Sequence, residues 1–413
     1  MKRPIQVLYI SWDGLTDPLG NYQILPYLTK LSGKKFEIHV VSLEKKLVYN
    51  KNYRETCSVV NEFNIFWSFS YYKNKITGLS TLVNFFKILM LSIKVCRKNN
   101  IKFSHGRGYI PTWICYILNI LYSCPFIFDM RGFWADEKVE GGNWNLKNPM
   151  YFITYKTFKK MEKVLLCSAD HIVCLTFQAK IIVESWIDDE NCQANIDVIP
   201  CCANLSHFNY KKYDKKYSLN KRMQLSIKDK NKVICYLGSL GSWYMIDEML
   251  DFFIEFKISY EDSTFLIITP EENTHLIYAS ARKKSVNIKD MCIVSSSYSD
   301  VPSLISVADI AISFIRPTFS KKASSPTKIG ELLGMGIPIV SNVNIGDLST
   351  LFRDFKCGIK VDNFTKTAYK NAVNSMDCIF SLPMSDFSDA AHSNFSLTHG
   401  VKVYRSIYSK LAK

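Results

Sequence analysis

Twice along this chain, short apolar runs alternate with helix-length segments, and one basic stretch parts the two series. That pattern constrains the fold more than any other feature. Strands that alternate with helices imply βαβ units and parallel sheets covered on both faces. In the first series the runs Val7 to Ser11, Glu37 to Leu43, Phe103 to His105, Pro125 to Asp129, His171 to Leu175 and Asp197 to Pro200 read as strands. Helices are expected at Gln23 to Leu31, Leu79 to Arg97, Pro111 to Tyr122, Tyr151 to Ser168 and Thr176 to Trp186. The second series runs from the strand Lys232 to Leu237 to the helix Leu348 to Asp354, and the tail beyond Thr365 reads as helical.

Length fits this reading. The 413 residues, 47% hydrophobic and 22% charged, suit two globular domains and exclude a disordered or disulfide-scaffold chain. From Asn204 to Asn231 lysines and arginines outnumber acids and aliphatic residues are few, so the boundary is placed there. The expected division is 1–205, 206–385 and a closing segment 386–413. The basic run reads as a solvated linker or helix face, or as a strip that attracts phosphate or membrane.

The net charge of +15, from 52 Lys and Arg against 37 Asp and Glu, favours an acidic partner without choosing one. No binding motif supports nucleic acid as that partner. Thirteen cysteines lack any Cys-x-x-Cys spacing, and Cys201 and Cys202 are adjacent, so all are expected to be reduced and used as small hydrophobes. The start of the chain lacks a signal-peptide pattern, which gives a cytoplasmic expectation. The stretch from Tyr109 to Phe128, about 20 residues without a charge, has the length of a membrane span. Pro111, Asn119 and the Ser123-Cys124-Pro125 break favour a buried helix followed by a buried strand.

Four segments carry candidate chemistry. Gly238-Ser239-Leu240-Gly241 follows a strand and precedes a helix, where backbone N–H groups can meet a phosphate. Ser325-Pro326-Thr327-Lys328-Ile329-Gly330-Glu331 opens a helix, with Pro326 in its first turn and Ser325 or Ser324 as cap. Lys328 there opposes the usual preference for acids, which makes sense if an anion sits against the helix start. Glu331, three residues on, shares its face and could accept ribose hydroxyls; the plain alternative is an exposed Lys–Glu pair. Phe128 to Glu137 crowds Asp129, Arg131, Asp136 and Glu137 beside Phe133 and Trp134 at a strand end, as an acceptor or sugar site or as an Arg–Asp pair pinning a loop. The turn-rich Asp13 to Asn21 holds Asp17 and Gly20, between the first strand and first helix, where a doubly wound sheet overhangs its ligand. There is no Asp-x-Asp, no Gly-x-Ser-x-Gly and no His spacing suited to a metal.

Taken together, Tyr9 to Gly20, Phe128 to Glu137, Tyr236 to Tyr244 and Ser325 to Glu331 followed by Gly336-Ile337-Pro338 resemble bacterial family 4 glycosyltransferases. The resemblance covers nearly the whole chain. It implies the GT-B fold, two Rossmann-like domains facing a central cleft, with a last helix near Asn394 to Tyr408 crossing back to the first domain. It implies transfer of a sugar from a nucleotide-sugar to a hydroxyl, with retention, without metal or other cofactor. Glu331 matches the second Glu of the family's Glu-x7-Glu element; the first would fall at Ala323. Ser239 and Tyr244 stand near the usual diphosphate-binding Arg and Lys, so Lys328 and Arg316 are expected to supply that charge. Donor contacts are thus expected at Gly20, Gly238, Ser239, Gly241, Arg316, Ser325, Pro326, Thr327, Lys328 and Glu331. Asp129, Arg131 and Glu137 are the catalytic candidates, and Asp17, Arg107 and Trp134 the acceptor contacts. A UDP-sugar is the expected donor, with CMP- and GDP-sugars as alternatives. The expected acceptor is a glycan or lipid-linked saccharide of surface polysaccharide synthesis (lipopolysaccharide, O-antigen or capsule), met at the anionic inner face of the membrane. The apolar helix Ile76 to Lys98, with cations gathered at its end, would serve equally as membrane contact or core. A nucleotide-sugar epimerase of the same fold and a basic nucleic-acid-binding protein are the competing readings.

Overall fold

A computed structural model of the chain describes residues 3–73, 79–190 and 192–412. The chain divides into two compact units, Met1–Pro200 with Leu397–Lys413, and Cys201–Ser396.

The first unit holds seven strands, β1 (Ile5–Ser11), β2 (Phe36–Glu44), β3 (Phe66–Tyr71), β4 (Ile101–Arg107), β5 (Phe126–Asp129), β6 (His171–Cys174) and β7 (Asn195–Val198). They form one parallel sheet in the order β3-β2-β1-β4-β5-β6-β7. The order reverses between β1 and β4, and ligands of such sheets bind beyond the strand ends at that point. Strands buried on both faces read as continuous apolar runs, and Val7, Leu8, Ile10, Phe126, Ile127 and Phe128 are all fully buried. The uncharged stretch resolves into a helix, Tyr109–Tyr122, and then β5. No helix among the described residues is long and apolar enough to cross a membrane. Of the helix expected from Ile76, residues 76–78 lie outside the described residues, and the rest is the helix Leu79–Lys98.

The second unit repeats the plan with β8 (Lys232–Leu237), β9 (Ser263–Ile268), β10 (Met291–Val294), β11 (Ile310–Ser313), β12 (Ile339–Asn342) and β13 (Gly358–Val361). Its parallel sheet has the order β10-β9-β8-β11-β12-β13, so the reversal falls between β8 and β11.

The structure departs from the sequence reading in four places. The helix Lys46–Glu62 and the edge strand β3 have no counterpart there, because the helix buries only Thr56 and Val60 and β3 is open at both ends. The chain passes into the second unit at Cys201 rather than after residue 205. The basic run, read as a solvated linker or helix face, contains the helix Lys215–Gln224, which buries none of its residues and whose Arg222 donates to the Val307 carbonyl at 2.8 Å and to Asp309 at 3.0 Å. The expected segment 386–413 divides. Met384–Phe395 stays in the second unit, where Phe395 packs so tightly on Gly330 that a Cβ there would lie 2.7 Å from it, and only Leu397–Leu411 belongs to the first. Finally, Cys167 and Cys192 form a disulfide, against the expectation that every cysteine is reduced. The helices Pro149–Ser168 and Phe177–Asp189 bring the two thiols together, a tertiary placement that spacing does not reveal. Cys115, Cys124, Cys174 and Cys235 are free and buried.

Candidate active site

Each unit assembles a polar cluster at the carboxyl ends of its central strands. In the first, β5 ends at Asp129, which is buried. Its Oδ2 accepts the Tyr404 hydroxyl at 3.1 Å and lies 3.6 Å from Nε2 of His105. Its Oδ1 lies 3.7 Å from the Arg131 guanidinium. Tyr408 fixes the other side of the imidazole, with its hydroxyl 2.8 Å from Nδ1, and the Tyr9 ring lies 4.6 Å from the His105 ring. Burial would raise the Asp129 pKa, but Arg131, His105 and Arg107 outweigh it and hold the carboxyl at about 2. Burial lowers the His105 pKa in spite of Asp129, so the ring is neutral at neutral pH. Arg131 adopts φ 57, a left-handed backbone that a long side chain rarely takes. Strain of this kind persists where surrounding contacts fix it, and here the Asp129 pair is one of them.

The expected residues of this unit are thus partly gathered. Asp129, Arg131 and Arg107 line one cavity of about 10 Å³ with His105, Tyr9 and Tyr404, which is room for about one water. Trp134 and Glu137 are not among its lining residues; they lie on the following helix, Trp134–Glu140. Trp134 packs on Phe158 at 4.8 Å and Trp144 at 5.4 Å, as part of an aromatic cluster. Asp136 is tied to Lys159 at 3.0 Å and to the Tyr155 hydroxyl at 2.8 Å. Asp17 is buried and paired with Lys45 at 2.9 Å. Its loop is organised by the buried Glu44, which accepts from the Leu15 amide at 2.7 Å and the Thr16 hydroxyl at 2.5 Å. Gly20 faces that loop: a Cβ would stand 2.0 Å from the Gly14 carbonyl, so the glycine there serves close backbone packing.

In the second unit β8 runs into Gly238, which turns at φ +125. Lys328 lies across it, with Nζ 2.7 Å from where a Cβ would be. The ammonium sits 3.8 Å from the Tyr244 ring centroid, 4.5 Å from that of Tyr236, and 3.4 Å from the Tyr236 hydroxyl. Tyr236 in turn donates to the Ser239 carbonyl at 2.8 Å. Lys328 belongs to the first turn of the helix Thr327–Gly334, with Glu331 a turn further. Burial lowers the Lys328 pKa to about 7 although Glu331 raises it, and burial raises that of Glu331 to about 7 although Lys328 lowers it. A buried cation at a helix start, where free N–H groups already favour negative charge, is a position built for an anion. A lysine and a carboxylate perturbed together at a strand end make this a functional-site candidate.

A second cationic pair stands on the same loop. Trp243 lies between Lys321, whose Nζ is 3.7 Å from its ring centroid, and Arg316, at 5.8 Å. Arg316 also donates to the Ser242 carbonyl at 2.7 Å. Two details differ from the sequence reading. The helix is capped by Pro326, not by a serine, and begins at Thr327. Ser325 instead accepts the Cys201 amide at 3.1 Å. Gly241 accepts from the Tyr244 amide at 3.3 Å, closing the turn after Gly238. Sequence reasoning missed Lys321, His105, Tyr404 and Tyr408. Only His105 left a signal, through its place beside Gly106 and Arg107 at the end of β4. Among the described residues no group of three or more His, Cys, Asp or Glu side chains is placed to hold a metal ion.

No protein-family profile matches the chain. No curated protein matches it in sequence. Solved structures do match in fold. A glycosyltransferase from Rickettsia africae has a TM-score of 0.70 at 15% identity, covering 100% of both chains. HepE of Anabaena, solved with UDP and glucose, has a TM-score of 0.68 at 11% identity, covering 98% of this chain and 99% of its own. WaaG, a glycosyltransferase involved in lipopolysaccharide biosynthesis, has a TM-score of 0.65 at 11% identity, covering 97% and 99%. Two Rossmann-like domains with parallel sheets of 7 and 6 strands place the chain in the GT-B fold that these proteins share.

Proposed function

We propose that the chain is a glycosyltransferase that moves a sugar from a nucleotide-sugar, a UDP-sugar in the first instance, to a hydroxyl of a glycan or lipid-linked acceptor. The observation that carries this reading is the buried Lys328 lying over Gly238 with Glu331 one turn away. HepE, of the same fold, is described with UDP and glucose. In this reading Lys328, the N–H groups at the start of its helix and the Lys321–Arg316 pair take the diphosphate charge, and Glu331 accepts the ribose hydroxyls.

The bond from the anomeric carbon to the diphosphate oxygen breaks, and one to the acceptor oxygen forms. In a retaining, metal-independent course the acceptor proton passes to the departing diphosphate oxygen. Asp129 is ill-suited to remove it: a base works best with a pKa near the working pH, and this carboxyl is held at about 2. Its part is to orient His105 and Arg131. Glu137 remains the candidate for meeting the acceptor hydroxyl, with Trp134 beside it. A role in surface polysaccharide synthesis at the inner membrane face follows from the same reading. WaaG supports it as a relative in fold named for lipopolysaccharide biosynthesis.

The test is calorimetric titration with UDP, GDP, CMP and ADP, followed by product analysis with the matching nucleotide-sugars and lipid-diphosphate acceptors. Lys328→Ala should weaken nucleotide binding about tenfold or more. Unchanged nucleotide affinity in Glu331→Ala, with no nucleotide released from any donor, sinks the proposal. A free altered sugar in place of a glycoside would point to the epimerase reading.

A further inference from the structure

The glycine turn after β8 leads into two adjacent rings, Trp243 and Tyr244, and each carries a lysine from further along the second unit. Lys321 stands over Trp243, with Nζ 3.7 Å from the ring centroid, and Lys328 stands over Tyr244 at 3.8 Å. Tyr236, near the end of β8, offers Lys328 a second face at 4.5 Å. The rings of Tyr236 and Tyr244 lie 6.0 Å apart at 67°, so the ammonium sits in the angle between them. The Tyr236 hydroxyl donates its one proton to the Ser239 carbonyl at 2.8 Å, which leaves its oxygen lone pairs for the Lys328 ammonium at 3.4 Å. Among the described residues Lys328 has no ion-pair partner. Glu331 on its own helix and Cys235 on β8 are the other titratable groups that act on it.

From this geometry we infer that Tyr236 and Tyr244 are positioning residues, whose π faces take the place of a counter-ion and hold the Lys328 ammonium over Gly238 for an anion. A buried ammonium needs compensation, and a carboxylate in contact would supply it most strongly. The same carboxylate would repel an arriving phosphate and would have to be displaced by it. A ring face attracts a cation through its quadrupole, most strongly where water is excluded, yet carries no net charge. The ammonium can therefore meet rings on one side and a phosphate on the other, with N–H donors left for the phosphate oxygens. Trp243 gives Lys321 the same support, so one loop holds two cations by aromatic faces. The inference rests on the reading that Lys328 meets the donor's phosphates; it adds what keeps the lysine charged and in place there.

The experiment is NMR titration of the full chain with carbon-13 at lysine Cε, the Lys328 signal being assigned by its loss in Lys328→Met, beside calorimetry with UDP. Tyr244→Leu should lower the pKa of the Lys328 ammonium by about 1, because burial remains and the face is gone. Tyr244→Phe, which keeps the face, should leave that pKa in place, and Tyr236→Phe, which loses only the hydroxyl, should lower it by less. UDP affinity at neutral pH should fall about tenfold in Tyr244→Leu and return in Tyr244→Phe. Tyr244→Met, without a π face, repeats the test should the leucine variant fold poorly. A Lys328 titration unmoved by loss of the Tyr244 ring, or a Tyr244→Phe variant as impaired as Tyr244→Leu, overturns the inference. The titration is read in the free protein, so it decides on the rings even if wild type binds no UDP, a result that would refute the glycosyltransferase reading instead.

Discussion

Tyr404 donates its hydroxyl to Asp129 at 3.1 Å, joining two residues 275 positions apart in the sequence. The bond adds to the charges that keep this buried carboxylate ionised. Its folded pKa of about 2 lies below the ordinary value of about 3.9, so the carboxylate contributes stability that is full above pH 4 and lost as pH falls through 2. Tyr404→Phe should raise that pKa and cost about 1–3 kcal/mol at pH 7. Urea unfolding should show the acid transition moved to higher pH and the gap to wild type narrowing below pH 3.

The Lys328–Glu331 pair predicts an unusual pH profile. With Lys328 lowered to about 7, the unfolded chain binds more protons above pH 7, so stability rises from there toward pH 10. With Glu331 raised to about 7, the folded chain binds more protons below pH 7, so stability falls from about pH 4.5 to 7. The pair should therefore contribute a minimum near pH 7, about 3–5 kcal/mol deep. Lys328→Met should abolish the rise above pH 7 and Glu331→Gln the fall below it. Denaturant titrations at pH 5, 7 and 9 would read both, and equal stability of Lys328→Met and wild type at pH 7 would refute the cost assigned to the lysine.

At Gly238 two constraints coincide, a φ of +125 and the ammonium of Lys328 lying 2.7 Å from any added Cβ. Gly238→Ala should lower stability by about 1–3 kcal/mol. It should also displace Lys328 and weaken UDP binding, whereas Gly241→Ala, where a Cβ meets open space, should leave both nearly unchanged.

The Cys167–Cys192 disulfide closes a loop across a sequence separation of 25, worth about 3 kcal/mol in the chain-entropy account. Denatured but unreduced protein should titrate two fewer thiols than reduced protein. Dithiothreitol should lower the wild-type melting temperature and leave that of Cys167→Ser unmoved.

The sequence was most legible where burial dictates residue type. The runs that became β1, β8 and β9 could face only a sheet interior, and Lys328 and Glu331 could be paired because helical geometry fixes their spacing. The helix Lys46–Glu62 and β3 were illegible because half-exposed elements need no apolar period. Lys321 escaped notice because its partner, Trp243, meets it only through the pairing of distant strands. The role of His105 was hidden because the hydroxyl that fixes its ring belongs to Tyr408, 303 residues away.

The first unit is discontinuous: the chain leaves it at Pro200 and rejoins it at Leu397. Protein synthesis therefore delivers Asp129 and His105 long before their tyrosine partners. While the ribosome is still making the second unit, the nascent first unit holds a carboxylate and an imidazole whose burial is incomplete. Until Leu397–Leu411 is made and docks, neither Tyr404 nor Tyr408 is there to complete the cluster.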